Sequence, residues 1–346
     1  MPVARGFGIV GTGVIAAIHA DAIALLSETG LADARLVAVT DVAADAAGAF
    51  AAARGCPAEP DLDALLARGD VEVVCVCVPS GLHATIGVEA AKAGKHLVVE
   101  KPIDVSLDAA DRLIEAARAA GVALTVISQH RFDLGLIELR RLLDGGALGR
   151  LVLGEASTKW YRAQAYYDSA AWRGTYAMDG GSLMNQGVHY VDLLRWCMGP
   201  PTEVTAVYST QAHRIEVEDT ALAIVRFASG AVGTILSSTA AFPGFPQRLE
   251  ITGTEGTVIV EDGRIVRRAL AAGTDPASPA ASAASAAADP AALDVVSHAA
   301  QLADLLDAVD TGHEPSVGGQ SGRDALEIVL AVYESSRTGR PVTLGR

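Results

Sequence analysis

With 346 residues the chain has the length of two domains, and half of it is hydrophobic, enough to bury two sizeable cores. An excess of acidic over basic side chains gives a net charge of −14, which repels nucleic acid and anionic membrane surfaces and sets both aside as partners. Cys56, Cys75, Cys77 and Cys197 show neither disulfide nor zinc spacing, so we read them as reduced packing residues of a cytoplasmic protein that binds no metal. We expect no signal peptide ahead of the first strand, and no apolar run reaches the length of a membrane span.

A short apolar strand over 7–10 runs into Gly11-Thr12-Gly13-Val14-Ile15-Ala16, and an apolar helical pattern follows through Ile18, Ile23, Leu25 and Leu26. Strand, glycine turn and helix in that order is the setting of a dinucleotide-binding turn. Gly11 permits the tight turn and Gly13 lets the main chain approach a pyrophosphate. Ala16 allows the helix to pack closely on the strand, and the helix N-terminus faces the phosphates, with Thr12, Val14 and Ile15 completing the turn. After an extended loop over 27–34, a second strand over 36–40 places Asp41 just past its end. A carboxylate there accepts hydrogen bonds from the adenosine ribose and repels a 2′-phosphate, which favours NAD over NADP. Asp41 also suits the N-cap of a helix over 42–53.

A short helix over 61–68 opens on Asp61. The strand over 71–78 ends in the corner Val78-Pro79-Ser80-Gly81-Leu82-His83, expected to lie against the cofactor. His83 reads either as a ligand contact or as a structural residue at the start of the next helix. A strand over 96–99 ends at Glu100-Lys101-Pro102. Proline disfavours helix at the residue before it, so Lys101 stands in a corner at a strand's carboxyl end, where an open α/β sheet meets its ligand. A helix over 106–120 stops at Gly121, and a strand over 122–127 leads to Ser128-Gln129-His130-Arg131. Alternation of β and α over about 130 residues indicates a doubly wound parallel sheet.

A helix over 132–144 and a strand over 151–160 follow, and then the pattern changes. The next loop concentrates Trp160, Tyr161, Arg162, Tyr166, Tyr167, Trp172, Arg173 and Tyr176 in a chain otherwise poor in aromatics. Rings with guanidinium donors suit a polar ligand with apolar faces, such as a sugar. Beyond Asp179-Gly180-Gly181, the spacing of Asn185, His189 and Asp192 puts three polar groups on one helical face. Runs over 204–209, 220–227, 232–238, 249–252 and 257–260, separated by turns, predict a second, largely antiparallel sheet. Residues 271–292 are Ala/Ser/Pro low-complexity sequence, expected as a mobile loop. Amphipathic helices over 295–309 and 324–337 close the chain. The expected domains are 1–128 and 129–346, with the final helices free to pack back on the first.

Several of these motifs together resemble one family. They are G-T-G-V-I-A at 11–16, E-K-P at 100–102, W-R at 172–173, G-G-S-L-M-N-Q-G-V-H-Y-V-D at 180–192, and the terminal G-R-D-A-L-E and Y-E-S-S-R-T-G-R-P-V. As a set they are similar to the glucose–fructose oxidoreductase, inositol dehydrogenase and MocA-type dehydrogenases over nearly the whole chain. The resemblance implies a Rossmann domain followed by an α/β domain with a large open sheet, often used for oligomerisation, here into a homodimer or homotetramer. It implies NAD(P)-dependent chemistry at a CH–OH group of a sugar, polyol or sugar derivative, with Lys101 as the catalytic lysine and His189 as the proton-transferring residue. Asn185 stands where many members carry Asp, so it is expected to bind a substrate hydroxyl without holding a proton charge. Glu100 is expected to set the position or charge of Lys101, Trp172 and Arg173 to lie near the nicotinamide, Gln129 to line the pocket, and Tyr161 and Arg162 to contact substrate. Two other activities fit the same scaffold: an NAD-dependent glycosidase and a non-catalytic dinucleotide sensor.

Overall fold

Uninterrupted apolar strands separated by helices require cover on both faces of a sheet. In the computed structural model, which describes residues 4–271, 273–275 and 295–345, the N-terminal part meets that requirement. β1 (Arg5–Val10), β2 (Ala34–Thr40), β3 (Val73–Val76), β4 (His96–Val99) and β5 (Leu124–Val126) form a parallel sheet in the order β2-β1-β3-β4-β5. They are joined through α1 (Val14–Thr29), α2 (Ala44–Arg54), α3 (Leu62–Ala67), α4 (His83–Lys92) and α5 (Leu107–Ala120). The order reverses between β1 and β3, which opens a crevice beyond the carboxyl ends of those strands. Local signals set the helix ends: Ser106 caps α5 by accepting from the Ala109 N–H, and Gly121 closes it in the left-handed region.

One expected loop is shorter than its span: of residues 27–34 the first three belong to α1, 30–33 form the turn and Ala34 opens β2. α1 continues through Ser27 to Thr29 and ends only at Gly30, whose φ of 71° provides the left-handed cap. The Ser27 hydroxyl ties the turn to Ala34, donating to its carbonyl (2.6 Å) and accepting its N–H (3.0 Å). The long interval between Gly11 and Asp41 is therefore due mainly to a longer helix, not to an extended loop over 27–34.

The chain divides into two compact units, one of Met1–Gln129 and Leu293–Arg323, the other of His130–Ala292 and Asp324–Arg346. In the first, the helix Val295–Thr311 brings Ala299, Leu302, Leu305 and Leu306 into the core that holds Phe7, Ile9, Ile23, Leu26 and Val98. Each fully buried leucine contributes about 1.5–3 kcal/mol. Gln301 on the same helix is fully buried and satisfies the edge of the sheet. Its Nε2 donates to Thr125 Oγ1 and to the Val126 carbonyl (both 2.9 Å), and its Oε1 accepts the Ser128 N–H (3.0 Å).

In the second unit, α6 (Leu134–Asp144) leads to β6 (Leu151–Lys159), and α7 (Gln164–Asp168) is a short helix inside the aromatic loop. A π-helical turn over Leu183–Gly187 runs directly into α8 (Val188–Met198). The remaining strands are β7 (Pro201–Ser209), β8 (Thr220–Phe227), β9 (Val232–Ser238), β10 (Arg248–Gly253), β11 (Gly256–Glu261), β12 (Arg264–Leu270), β13 (Gly273–Asp275) and β14 (Val342–Thr343). The described residues order them β13-β12-β11-β10-β6-β9-β8-β7-β14, with β6 and β9 parallel and the other pairs antiparallel. Gly154 lets α8 approach one face, since a Cβ there would lie 2.7 Å from Leu194 Cδ1. The alternation of β8 turns Leu222 and Ile224 to the other face, beside Val207, and all three are exposed. The expected loop over 271–292 contains a strand at Gly273–Asp275, and the rest of it beyond Ala271 lies outside the described residues. Among the described residues no helix is long and apolar enough to cross a membrane.

Candidate active site

The turn between β1 and α1 is shaped for an anion. Gly11 has a φ of +91°, and a Cβ there would lie 2.5 Å from the Cys77 carbonyl oxygen, so the position requires glycine. A Cβ on Gly13 would meet nothing within 4 Å, and Gly13 and Val14 are exposed. α1 begins with no side-chain cap and no acid in its first turn, which leaves its first N–H groups to solvent or to a ligand. Ile15 is half-buried and Ala16 fully buried against the sheet. Asp41 is bound back to this turn: Oδ2 accepts the Thr12 N–H (2.7 Å) and hydroxyl (3.0 Å), and Oδ1 accepts the Ala43 N–H (2.9 Å). Asp41 is not the N-cap of the following helix, which begins at Ala44 with Ala43 in the cap position; the Thr12 bonds draw the carboxylate to the glycine turn instead. An open glycine cradle, a bare helix N-terminus and a fixed carboxylate at the end of β2 fit a dinucleotide.

Val78 and Pro79 are half-buried after β3, and Ser80 is buried. His83 is buried with Nδ1 2.7 Å from the Pro102 carbonyl and Nε2 2.9 Å from that of Val78. Burial keeps its pKa below the usual value, and this placement makes it a brace between two corners of the sheet edge. Lys101, half-buried, stands in the second corner. Behind it, Glu100 is 5% exposed and accepts from His19 Nε2 at Oε1 (2.8 Å) and from the Lys101 N–H at Oε2 (3.1 Å). Burial opposes charge on Glu100, but the His19 hydrogen bond and charge, with Lys101 and His298 adding, hold its carboxyl at about 2. Burial also opposes charge on His19, yet its contacts with Cys77, Cys75 and Glu100 raise it well above its ordinary value. Gln129, at the end of this unit, is buried, and its Oε1 makes no hydrogen bond among the described residues.

In the second unit the arginines of the aromatic loop are stacked. The Arg173 guanidinium lies over the rings of Tyr166 (4.3 Å) and Trp172 (4.5 Å) and donates to the Tyr166 hydroxyl (2.7 Å). Arg162 is buried over Trp160 (4.9 Å) and donates to the Tyr161 carbonyl (2.9 Å), while the Tyr161 ring meets Phe242 edge-on. Such stacking rigidifies a wall of rings and guanidinium groups.

The Asn185 amide donates to Asp179, a buried carboxylate that also accepts the Gly174 N–H (2.8 Å). A carboxylate only accepts, so the amide NH2 faces Asp179. An acid, Asp179, therefore stands directly behind the Asn185 amide. His189 is buried, its ring edge-on to that of His130 at 5.2 Å, and His130 Nδ1 donates to Asp133 Oδ2 (2.7 Å). Asp192 forms a two-pronged ion pair with the buried Arg131; it shares α8 with His189, whereas Asn185 lies on the π-turn Leu183–Gly187 that precedes that helix. Glu218 holds the start of that turn: Oε1 accepts the Leu183 N–H (2.7 Å) and its carbonyl accepts the Ser182 N–H (3.0 Å). A Cβ on Gly181 would collide with the Glu218 carboxyl. Burial pushes Glu218 up to about 7, with the Leu183 N–H pulling the other way.

Sequence reasoning missed His19, His130, Asp179 and Glu218. His19 left a signal: with Ile23 and Leu26 it forms an i, i+4, i+7 stripe, and an ionisable group in such a stripe needs a buried partner. The other three depend on contacts that no local pattern announces.

Comparison with known proteins places the chain. Residues 5–128 match the model described as the oxidoreductase family, NAD-binding Rossmann fold, and residues 136–259 match that of the GFO/IDH/MocA C-terminal domain. The chain is 28% identical over 344 residues to an inositol 2-dehydrogenase of Rhizobium meliloti, covering 98% of each. It is 28% identical over 346 residues to a myo-inositol 2-dehydrogenase of Thermotoga maritima, covering 97% of this chain and 98% of that one. Among solved structures, the WlbA dehydrogenase from Bordetella pertussis, in complex with NADH and UDP-GlcNAcA, is 32% identical with a TM-score of 0.88 over 100% of this chain and 99% of that one. Two matched domains and full-length similarity to these dehydrogenases lead to one assignment: the chain belongs to the GFO/IDH/MocA family of oxidoreductases and carries an NAD-binding Rossmann domain.

Proposed function

We propose that this oxidoreductase transfers hydride between NAD and a CH–OH group of a sugar, polyol or sugar derivative, with Lys101 and His189 acting on the reacting oxygen. The reading rests on one observation in the first unit: because the strands are parallel, the open glycine turn after β1 and Lys101 after β4 lie at the same edge of the sheet. The nicotinamide, when bound, supplies the hydride acceptor or donor. The main chain of Gly11, Thr12, Gly13, Val14 and Ile15 holds the pyrophosphate, and Asp41 accepts from the ribose and disfavours a 2′-phosphate, giving NAD precedence over NADP. Val78, Pro79 and Ser80 line the nucleotide, with His83 bracing them.

In the oxidative direction His189 takes the hydroxyl proton, while Lys101 donates a hydrogen bond to the same oxygen and stabilises its developing negative charge. Asn185, turned by Asp179, binds a neighbouring hydroxyl through its carbonyl oxygen. Tyr161, Arg162, Trp172 and Arg173 form the substrate wall, the last two toward the nicotinamide, and Gln129 offers an acceptor. Relatives named for inositols and a neighbour solved with UDP-GlcNAcA support a carbohydrate-like substrate. The exposed Val207, Leu222 and Ile224 support a homodimer or homotetramer formed through the open face of the nine-stranded sheet. The four free cysteines support a cytoplasmic location.

The test is a screen of inositols, sugars, sugar acids and nucleotide sugars with NAD and NADP, followed by Lys101→Ala on the best substrate. The variant is expected to bind NAD within about threefold of the parent and to lose about 10³-fold in kcat. Unchanged turnover would overturn the assignment of Lys101.

A further inference from the structure

We propose that His19 is a positioning residue for Lys101, acting through the buried carboxylate of Glu100. The inference deepens the catalytic reading of Lys101 and rests on it.

The geometry is a two-step strap. His19 has no exposed surface and donates from Nε2 to one oxygen of Glu100, whose other oxygen holds the Lys101 main-chain N–H. Glu100 is also tied to the neighbouring strand, since its own N–H donates to the Val76 carbonyl (3.2 Å). His19 lies on α1, the helix that opens at the glycine turn. One imidazole thus connects that helix to the corner from which the lysine side chain departs. A carboxylate with both oxygens engaged cannot swing, so the main chain of Lys101 keeps one position. Loosening such support by even an ångström degrades a reaction that depends on a donor aimed at one oxygen.

The surroundings explain why the partner is a histidine. Its neighbours are Glu100 just past β4, Cys75 on β3, Cys77 just past β3, and His298, edge-on at 5.7 Å, from the helix Val295–Thr311. Burial pushes the Cys77 thiol up to about 11, which leaves it neutral at pH 7. A buried carboxylate without a donor is costly, and His19 supplies an N–H donor inside the core. An apolar residue at this position of the stripe would pack as well and would release Glu100.

The test uses the full chain with His19→Phe and His19→Gln, each alone and combined with Lys101→Ala. Gln keeps an N–H donor for Glu100; Phe removes it. His19→Phe is expected to lower kcat by about 30-fold with the Kd for NAD within about threefold, and His19→Gln to recover most of that loss. In the Lys101→Ala background the step from His19 to Phe is expected to add less than about twofold, because the residues act as one unit. A readout independent of turnover is available because the chain has only Lys92, Lys95, Lys101 and Lys159. With ε-¹³C-lysine labelling, His19→Phe should move or broaden the Lys101 resonance and leave Lys92 and Lys159 in place, while His19→Gln should restore it. If His19→Phe does not fold, His19→Gln still decides through the same resonance, expected near its parent position. An unmoved Lys101 signal with parental kcat in folded His19→Phe would overturn the proposal. Equal losses from His19→Phe with and without Lys101 would also overturn it. Should Lys101→Ala itself retain turnover, the catalytic reading of Lys101 fails, while the lysine resonance still reports on the strap.

Discussion

Each unit buries one glutamate directly behind a proposed site segment, and the surroundings shift the two carboxyls in opposite directions. Glu100, behind Lys101, is 5% exposed and sits at about 2; Glu218, at the start of the π-turn that carries Asn185, has no exposure and sits at about 7. Burial pushes both carboxyls up. The difference is what each oxygen touches: Glu100 faces the His19 imidazole, whereas Glu218 has the Leu183 N–H and the crowded main chain of Gly181. A neutral donor moderates the effect of burial; a buried cation reverses it. The first unit thus keeps a permanent anion behind its lysine, and the second keeps an acid that changes charge near neutrality.

The contrast can be broken or sharpened by substitution. The largest effect is expected from Glu100→Gln, which leaves His19 without its carboxylate and should destabilise the protein by about 3 kcal/mol in denaturant unfolding at pH 7. A loss below about 1 kcal/mol would mean that the pair carries little charge. Next comes Gly181→Ala. The added methyl has no room beside Glu218, and a loss of about 2 kcal/mol, read as a lower unfolding midpoint, is expected. The smallest effect is expected from Glu218→Gln, and it depends on pH. Because the folded pKa of Glu218 lies above the ordinary 4.5, the parent loses stability as pH rises from 4.5 through about 7. The glutamine variant escapes that loss, so it should match the parent near pH 5 and exceed it by about 1–2 kcal/mol near pH 8.5. The stabilisation from Glu100 runs the other way, present above 4.5 and lost as pH falls toward 2. A glutamine variant of Glu218 that loses stability at high pH as steeply as the parent would erase the distinction.

The parallel sheet was readable because its strands are short apolar runs closed by turn residues. The run over 96–99 and β4 coincide, and α5 stops at Gly121 as expected. The antiparallel strands were readable as runs separated by turn residues, and in β8 the structure shows buried and exposed residues alternating along such a run. Asp41 was named for its position at a strand end, but its bonds to Thr12, across 29 residues, were not readable. The ion pair of Asp192 was not readable, because its partner Arg131 lies 61 residues away. The link from Asn185 to Asp179 spans only six residues, yet it passes through a glycine pair whose path no periodicity predicts. In each case residue type suggested chemistry, and the deciding contact lay beyond the window in which pattern operates.

The helix Val295–Thr311 gives the first unit an unusual position in the order of synthesis. A ribosome completes everything from β6 to β12 before it makes Leu302, Leu305 and Gln301. Until then Ile23 and Leu26 lack part of their cover, and Thr125 and Ser128 lack the amide that satisfies them. Domains commonly fold as they emerge, N-terminal first. Here the nucleotide-binding unit is begun first and finished late, so a nascent chain or a truncated fragment ending at residue 129 presents an open apolar face that the full-length protein covers with its own later residues.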